Sequence, residues 1–255
     1  MKNFPYLILI LLMTIGCQSS TTNEAAHEEN AAAPVPPAQN TLTEEEKAAG
    51  WELLFDGNTT DKWRGYNHET FPTLGWKVMN GNIAVEKSGT EEEGFGGDII
   101  TKEKFENFEL TLEFMCSDTS NSGVLYRVKE VEGTPIWHNA PEYQVLDNER
   151  YAEMGVDSMH FTAANYDLHP AQTDYTKPIG EWNLARILIN NNHVEHWLNG
   201  QLVVSYDLET PEWEALVAKS KFREYPDYGR TRNGHIGLQD HGHLVQFRNL
   251  KIRRL

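Results

Sequence analysis

Two Asn-Gly dipeptides, Asn80-Gly81 and Asn199-Gly200, each separate a pair of short runs rich in apolar and β-branched residues. Leu74–Met79 and Ile83–Val85 flank the first; Val194–Leu198 and Leu202–Tyr206 flank the second. Both positions of such a dipeptide tolerate a positive φ, so each pair reads as an antiparallel hairpin with a tight turn. Further strands are expected at Asp98–Thr101, Phe108–Cys116, Gly123–Val128, Glu142–Leu146, Asn183–Ile189, His235–Gln239 and Leu244–Arg253. Helix is scarce. Thr43–Ala49 carries a Thr43…Glu46 capping box and a Gly50 stop, and Thr210-Pro211-Glu212 opens a second short helix. Many strands at hairpin spacing with little helix define an all-β fold, an antiparallel β-sandwich with the jelly roll as its leading form.

The chain start reads as an address. Residues 1–16 carry one charge, Lys2, ahead of the apolar run Tyr6–Met13, which is short for a membrane span and suits a secretory signal. Thr14-Ile15-Gly16-Cys17 resembles a bacterial lipobox, with Cys17 as the lipidated first residue of the mature protein. Gln18 and Ser19 follow where an inner-membrane retention signal would place Asp, so sorting by resemblance points to the outer membrane, on either face. Residues 17–42 are polar and Pro-containing, a composition expected of a disordered tether. One folded domain is expected over 43–255.

With Cys17 lipidated, Cys116 is alone and forms no intrachain disulfide. It shares a face with Phe108, Leu110, Leu112 and Phe114, which suits a small buried apolar group. The formal charge of −16 argues against nucleic acid and against direct contact with an anionic membrane face, leaving the lipid as the membrane attachment. A neutral sugar is indifferent to that charge. Oligomeric state is not readable from the sequence.

Function is concentrated in Pro141-Glu142-Tyr143-Gln144-Val145-Leu146-Asp147-Asn148. On a strand, alternation buries Tyr143 and Val145 and turns Glu142 and Gln144 together to the opposite face. Two other strands repeat the pattern: Asn121, Gly123, Leu125 and Arg127 share one face, and His235, Gly237 and Gln239 oppose Ile236 and Leu238. The turn Asp240-His241-Gly242 adds a His at a strand end, and Trp137 and Tyr66 could wall such a surface. Convergent amides and charges beside aromatic rings suit a polyhydroxylated ligand.

These segments resemble the 3-keto-disaccharide hydrolase domain family, whose fold is a concanavalin-like jelly roll. The matching blocks include Gly50-Trp51…Leu54-Phe55-Asp56-Gly57, Trp63-Arg64-Gly65-Tyr66, Gly96-Gly97-Asp98-Ile99, Asn121-Ser122-Gly123…Tyr126-Arg127 and Glu142-Tyr143-Gln144…Asp147-Asn148. They continue through Gly180-Glu181-Trp182-Asn183, His196-Trp197-Leu198-Asn199-Gly200, Ser220-Lys221-Phe222, Gly234–Gly242 and Phe247-Arg248-Asn249. The run 163–168, Ala163 to Leu168, departs from the family's usual Gly-Ala-Leu-Tyr type sequence and could tune substrate choice. The resemblance implies cleavage of glycosides already oxidised to a ketone at sugar carbon 3. Such a ketone acidifies the C2 proton, and the enolate formed on its removal expels the C1 substituent; later hydration would make the outcome a hydrolysis.

That chemistry needs a base near C2, cationic or donor groups at the ketone oxygen and an acid at the leaving oxygen. Glu142 and His241 compete as base, with His241 also a candidate acid, and Lys221 and Arg127 could stabilise the enolate oxygen. Gln144, Gln239 and Asp147 could hold hydroxyls, with Asn121, Tyr126 and Trp137 completing the expected binding surface. Each has a plainer reading: Asp147-Asn148 as a turn, Lys221 as a solvated charge, Arg127 as an ion-pair partner of Glu142, and His196 as packing. A divalent metal is an open question, because Glu142, Asp147, His235 and His241 could converge although no His-x-x-x-His or Cys pair calls for an ion. The alternatives are an ordinary glycoside hydrolase, with two carboxylates about 5–10 Å apart, and a carbohydrate-binding lipoprotein without catalysis.

Overall fold

The computed structural model describes residues 38–88 and 95–255. The expected signal segment and Cys17 lie outside them. The packed chain begins a little before the expected boundary at residue 43: Asn40 is buried, its side chain donates to Gly81 O at 2.7 Å, and its N–H donates to the Asn249 side chain at 2.6 Å. The reciprocal bond from Asn249 N–H, 2.8 Å, completes the lock.

In chain order the described strands are β1 (Trp51–Leu53), β2 (Trp63–Gly65), β3 (Trp76–Met79), β4 (Asn82–Val85), β5 (Ile99–Thr101), β6 (Phe108–Cys116) and β7 (Asn121–Val128). They continue as β8 (Glu142–Leu146), β9 (Trp182–Asn190), β10 (His193–Leu198), β11 (Gln201–Asp207), β12 (His235–Leu238) and β13 (Val245–Arg254). Three short α-helices accompany them in the described residues: α1 (Glu44–Ala48), α2 (Asn148–Glu153) and α3 (Pro211–Val217). Both Asn-Gly hairpins form as read, joining β3 to β4 and β10 to β11. Among the described residues no helix is long and apolar enough to cross a membrane.

The strands make two antiparallel sheets. The larger runs β11-β10-β9-β6-β13-β4-β3, with β1 also paired to β13; the smaller runs β2-β5-β12-β7-β8. Leu110, Leu112, Phe114, Ile187 and Val194 of the large sheet bury against Val124, Tyr143, Val145, Ile236 and Leu238 of the small one. Each such side chain stabilises the fold by about 1.5–3 kcal/mol when fully buried. The architecture is the β-sandwich of jelly-roll type that the strand pattern implied. The first and last strands pair in the large sheet, where Trp51 pairs with Arg253 and Leu54 N–H donates to Leu250 O at 2.8 Å.

β8 is the outer strand of the small sheet, and an outer strand exposes unpaired backbone. The loop after α2 covers it: Gln144 N–H donates to Ala164 O, Ala163 N–H to Gln144 O, and Tyr166 N–H to Glu142 O. Positive φ at Ala163 (70°) and Asp167 (63°) bends the loop back over the strand. Tyr166 is thereby carried next to the polar face of β8.

Candidate active site

β8 is buried along its whole length. Tyr143 and Val145 enter the core, while Glu142 and Gln144 face a cavity of about 100 Å³ on the outer face of the small sheet. On the neighbouring β7, Gly123 pairs with Gln144 and Leu125 with Glu142. A Cβ built on Gly123 would sit 2.6 Å from Cδ and 2.8 Å from Cγ of Glu142. Only a residue without a side chain leaves the carboxyl group this position, and the backbone of Gly123 is otherwise ordinary.

Asn121, two residues from Gly123 along β7, lines the same cavity, and the Gln144 amide donates to its oxygen at 3.4 Å. Gln239 leaves the end of β12, its backbone anchored by a bond from Gln239 N–H to Gly123 O and one from the Ser122 hydroxyl to Gln239 O. The following turn is built on a buried carboxylate: Asp240 accepts from Gly96 N–H and Gly242 N–H, each at 3.0 Å. This turn presents His241 to the cavity.

The roof is aromatic and cationic. Lys221 holds its ammonium 4.4 Å from the Trp137 ring centre and 4.3 Å from that of Tyr166, a cation–π arrangement. The segment carrying Lys221 is fixed from behind by a ladder of rings. Phe222 stacks on Tyr228 at 3.9 Å, Tyr228 on Trp213 of α3 at 5.9 Å, and Trp213 on Tyr206 of β11 at 5.4 Å. Asp167 adds a bond from Lys221 N–H at 3.1 Å.

Electrostatics single out Glu142. Burial pushes its carboxyl up to about 8; the nearby Lys221 charge opposes that rise and Asp98 adds to it. The group therefore changes charge close to neutrality, where an acid or base is most useful. Asp98, the residue before β5, accepts from Asp240 N–H at 3.0 Å. The His138 imidazole beside Trp137 is held below its usual value, first by burial and then by the Lys221 charge.

The cavity thus gathers Glu142, His241, Lys221, Gln144, Gln239, Trp137 and Asn121 from the residues the sequence nominated. Arg127 is not among them. Register shifts between His235 and Gly237 of β12, and Arg127 adopts a φ of 57°, so strand alternation fails there. Its guanidinium is buried and donates to Asn191 O at 2.7 Å and Gly229 O at 3.3 Å, with Glu209 at 3.5 Å. The expected pairing of Arg127 with Glu142 is absent from its hydrogen bonds. Tyr126 points into the sandwich, where its hydroxyl bonds Tyr206 at 2.5 Å and His196 at 2.8 Å. Asp147 caps α2 through Arg150 N–H and accepts from Thr119 N–H, the turn role that was the plainer reading.

His235 is bonded by Nδ1 to Thr101 O at 2.6 Å and is buried away from the cavity. With Asp147 and His235 elsewhere, the metal set considered from sequence does not assemble. Among the described residues no three His, Cys, Asp or Glu side chains converge in a manner that could hold a metal ion. His196 is a core residue as expected, its imidazole driven down to about 3 by burial. Cys116 is buried with its thiol pushed up to about 11, which suits packing rather than nucleophilic attack.

Two residues in the arrangement were missed. Tyr166 lay in the departing loop 163–168, which the sequence marked only as a stretch that could tune substrate choice. Gly123 was placed on the correct face, but its closeness to Glu142 needed the pairing register.

Three comparisons with known proteins bear on this geometry. Residues 50–253 match the family model described as a 3-keto-alpha-glucoside-1,2-lyase-like domain. A 3-keto-disaccharide hydrolase of Bacteroides thetaiotaomicron is 38% identical over 231 residues, spanning 82% of this chain and 79% of the relative. A crystal structure of a Parabacteroides distasonis protein, provisionally named a glycosyl hydrolase, is 33% identical with a TM-score of 0.78, covering 86% of this chain and 100% of that one. A second from the same organism is 29% identical with a TM-score of 0.59, covering 80% and 99%.

Proposed function

Because the chain belongs to the 3-keto-alpha-glucoside-1,2-lyase-like domain family, we propose that its cavity cleaves 3-keto-glycosides by removing the C2 proton and expelling the C1 substituent. The observation that carries this reading is a buried carboxyl, Glu142, poised near pH 8 under the influence of a cation, Lys221, in one small polar cavity. A carboxylate raised in this way is a stronger base than an exposed one, which suits abstraction of a proton beside a ketone.

Glu142 takes the C2 proton as the electron pair moves toward the ketone oxygen. Lys221, its ammonium held beside the Trp137 and Tyr166 rings, stabilises the enolate that forms. His241 donates a proton to the C1 oxygen as that bond breaks, leaving an unsaturated 3-keto sugar and an alcohol. Addition of water across the new C1–C2 double bond returns a hydrogen to C2 and places a hydroxyl on C1, so the sum is hydrolysis. Gln144, Asn121 and Gln239 hold the remaining hydroxyls. An oxocarbenium mechanism uses two carboxyl groups across the bond, whereas the described residues lining this cavity supply one.

The test is incubation of the purified domain with a 3-keto-glucoside and with its unoxidised parent. Turnover of the keto compound alone supports the proposal; turnover of the parent sinks it in favour of an ordinary glycosidase, and binding of either without turnover leaves a binding protein. The envelope address is part of the same proposal, with Cys17 as the lipid attachment. Mass spectrometry of the mature amino terminus checks it: the loss of a diacylglyceryl mass in Cys17→Ser is expected, and an unmodified Cys17 in the wild type would refute it.

A further inference from the structure

Beside the catalytic cavity lies a second hollow of about 270 Å³, and the two share the Trp137 ring and Gln239. At about 100 Å³ the catalytic cavity is the smaller of the two. A glycoside with a large C1 substituent needs room beside it for that substituent.

We infer that the second hollow, walled by Tyr66, Trp137, Thr134, Gln239 and Asp98, is the subsite that holds the leaving group, and that it selects an uncharged hydroxylated one such as a second hexose. This deepens the proposed function and rests on it for the identity of the reacting sugar.

Three observations carry the inference. The first is position. Residues cross the small sheet in the order Tyr66 and Asp98 beside β2 and β5, then Gln239 beside β12, then Glu142 on β8. His241, the group assigned to the C1 oxygen, belongs to the same turn as Gln239 and Asp240, which both line the second hollow. The bond to be broken is thus directed away from β8 and toward β2.

The second is construction. Tyr66 is held rigidly, its hydroxyl accepting from Val131 N–H at 3.2 Å and donating to Lys129 O at 3.3 Å, and its N–H donating to Asp98 O at 2.8 Å. A fixed phenol ring and an indole offer apolar faces to the C–H side of a sugar, while the Gln239 amide and Asp98 carboxylate offer partners to hydroxyls. The third is charge. Among the described residues, the lining contains two carboxylates, Asp98 and Asp240, and no Lys or Arg. A phosphate or uronic acid would meet repulsion without a compensating cation.

A third hollow of about 370 Å³, bordered by Tyr151, Val156 and His160, opens on the other side of Gln144 and Tyr166. It supplies the control. The readout is the ratio of kcat/KM for a 3-keto-glucosyl hexose to that for methyl 3-keto-glucoside, in wild type, Thr134→Phe and Val156→Phe. The ratio is expected to fall at least tenfold in Thr134→Phe, which fills the second hollow, and to stay within threefold of wild type in Val156→Phe. Tyr66→Leu, which removes the phenol without adding bulk, is expected to lower it by about threefold to tenfold. A fall in Val156→Phe without one in Thr134→Phe reverses the orientation and overturns the inference.

Binding of the unoxidised disaccharide and of methyl glucoside, measured by calorimetry, gives a readout that needs no turnover. Weakening of the disaccharide alone by Thr134→Phe supports the subsite even when neither keto compound is cleaved, an outcome that would remove only the catalytic reading. Unchanged binding together with an unchanged ratio eliminates the subsite.

Discussion

Replacing Gly123 by Ala tests whether the carboxyl position of Glu142 is set by the strand beneath it. The backbone tolerates the change, since Gly123 does not occupy the left-handed region. The added methyl would lie 2.6 Å from Glu142 Cδ, where ordinary contact begins at 3.4 Å. The carboxyl must therefore retreat by about 1 Å, and a displacement of that size at a reacting group is worth about 100-fold in rate. Overpacking costs about 1–3 kcal/mol of stability, which for a domain of this size lowers the melting temperature by roughly 2–10 °C. The protein stays folded at 25 °C, so activity and stability can be read separately. The assay is kcat/KM on a 3-keto-glucoside beside a melting curve, for Gly123→Ala, Glu142→Gln and the double variant. Both single changes act through one carboxyl, so Gly123→Ala adds little to the loss already caused by Glu142→Gln. Activity of Gly123→Ala within threefold of wild type would refute the reasoning, as would full additivity in the double variant.

Stability should report the same group. The Glu142 carboxyl stands at about 8 in the folded chain against an ordinary 4.5; between those values the folded state keeps a proton that the unfolded state has lost, so its contribution to stability declines as pH rises. At about 1.4 kcal/mol per pH unit the whole window is worth on the order of 5 kcal/mol, and Glu142→Gln should gain roughly 10 °C in melting temperature relative to wild type between pH 5 and 9. A difference that stays flat with pH would contradict the buried position. Arg127→Met removes buried bonds to Asn191 O, Gly229 O and Glu209; it should cost about 3–5 kcal/mol of stability while KM stays within twofold. A large KM increase in a protein of normal stability would return Arg127 to the substrate. Lys221→Met keeps a chain that can pack on Trp137 and Tyr166 but removes the charge; kcat should fall about 100- to 1000-fold with the fold intact, and an unchanged kcat would exclude Lys221 as the enolate partner.

Most of the sandwich was legible because its strands are long enough to show a period of two and its hairpins carry Asn-Gly turns. β6 and β8 occupy the residues that alternation assigned to them. β1 and β2 have three residues each, too few for a period to register, and they exist through pairing with β13 and β5. α2 follows directly on β8, and the Asp147 cap that starts it had been divided between a turn and a ligand for hydroxyls.

The site was legible where alternation held. Glu142 and Gln144 on β8, and Asn121 and Gly123 on β7, share a face because neither strand is interrupted there. Arg127 was misplaced because a bulge against β12 and its positive φ reverse the alternation at that residue. Tyr126 illustrates the converse: alternation from Asn121 and Gly123 already placed it on the opposite, core side, and only the family block suggested a binding role. Tyr166 was invisible because its position comes from a loop clasping the free edge of β8, a contact between segments rather than a pattern within one. The high Glu142 pKa was equally hidden, since it arises from burial and from the Asp98 charge, both set by the tertiary arrangement.

Cleavage of a 3-keto-glucoside in heavy water, followed by mass and NMR analysis of the released sugar, bears most directly on whether Glu142 breaks the C2–H bond. The wild type should deliver either an unsaturated sugar that has lost its C2 hydrogen or a hydrated one carrying solvent deuterium at C2, and Glu142→Gln should slow either outcome at least 100-fold. A hydrolysed product retaining its full complement of C2 protium would mean that the glycosidic bond breaks without an enolate.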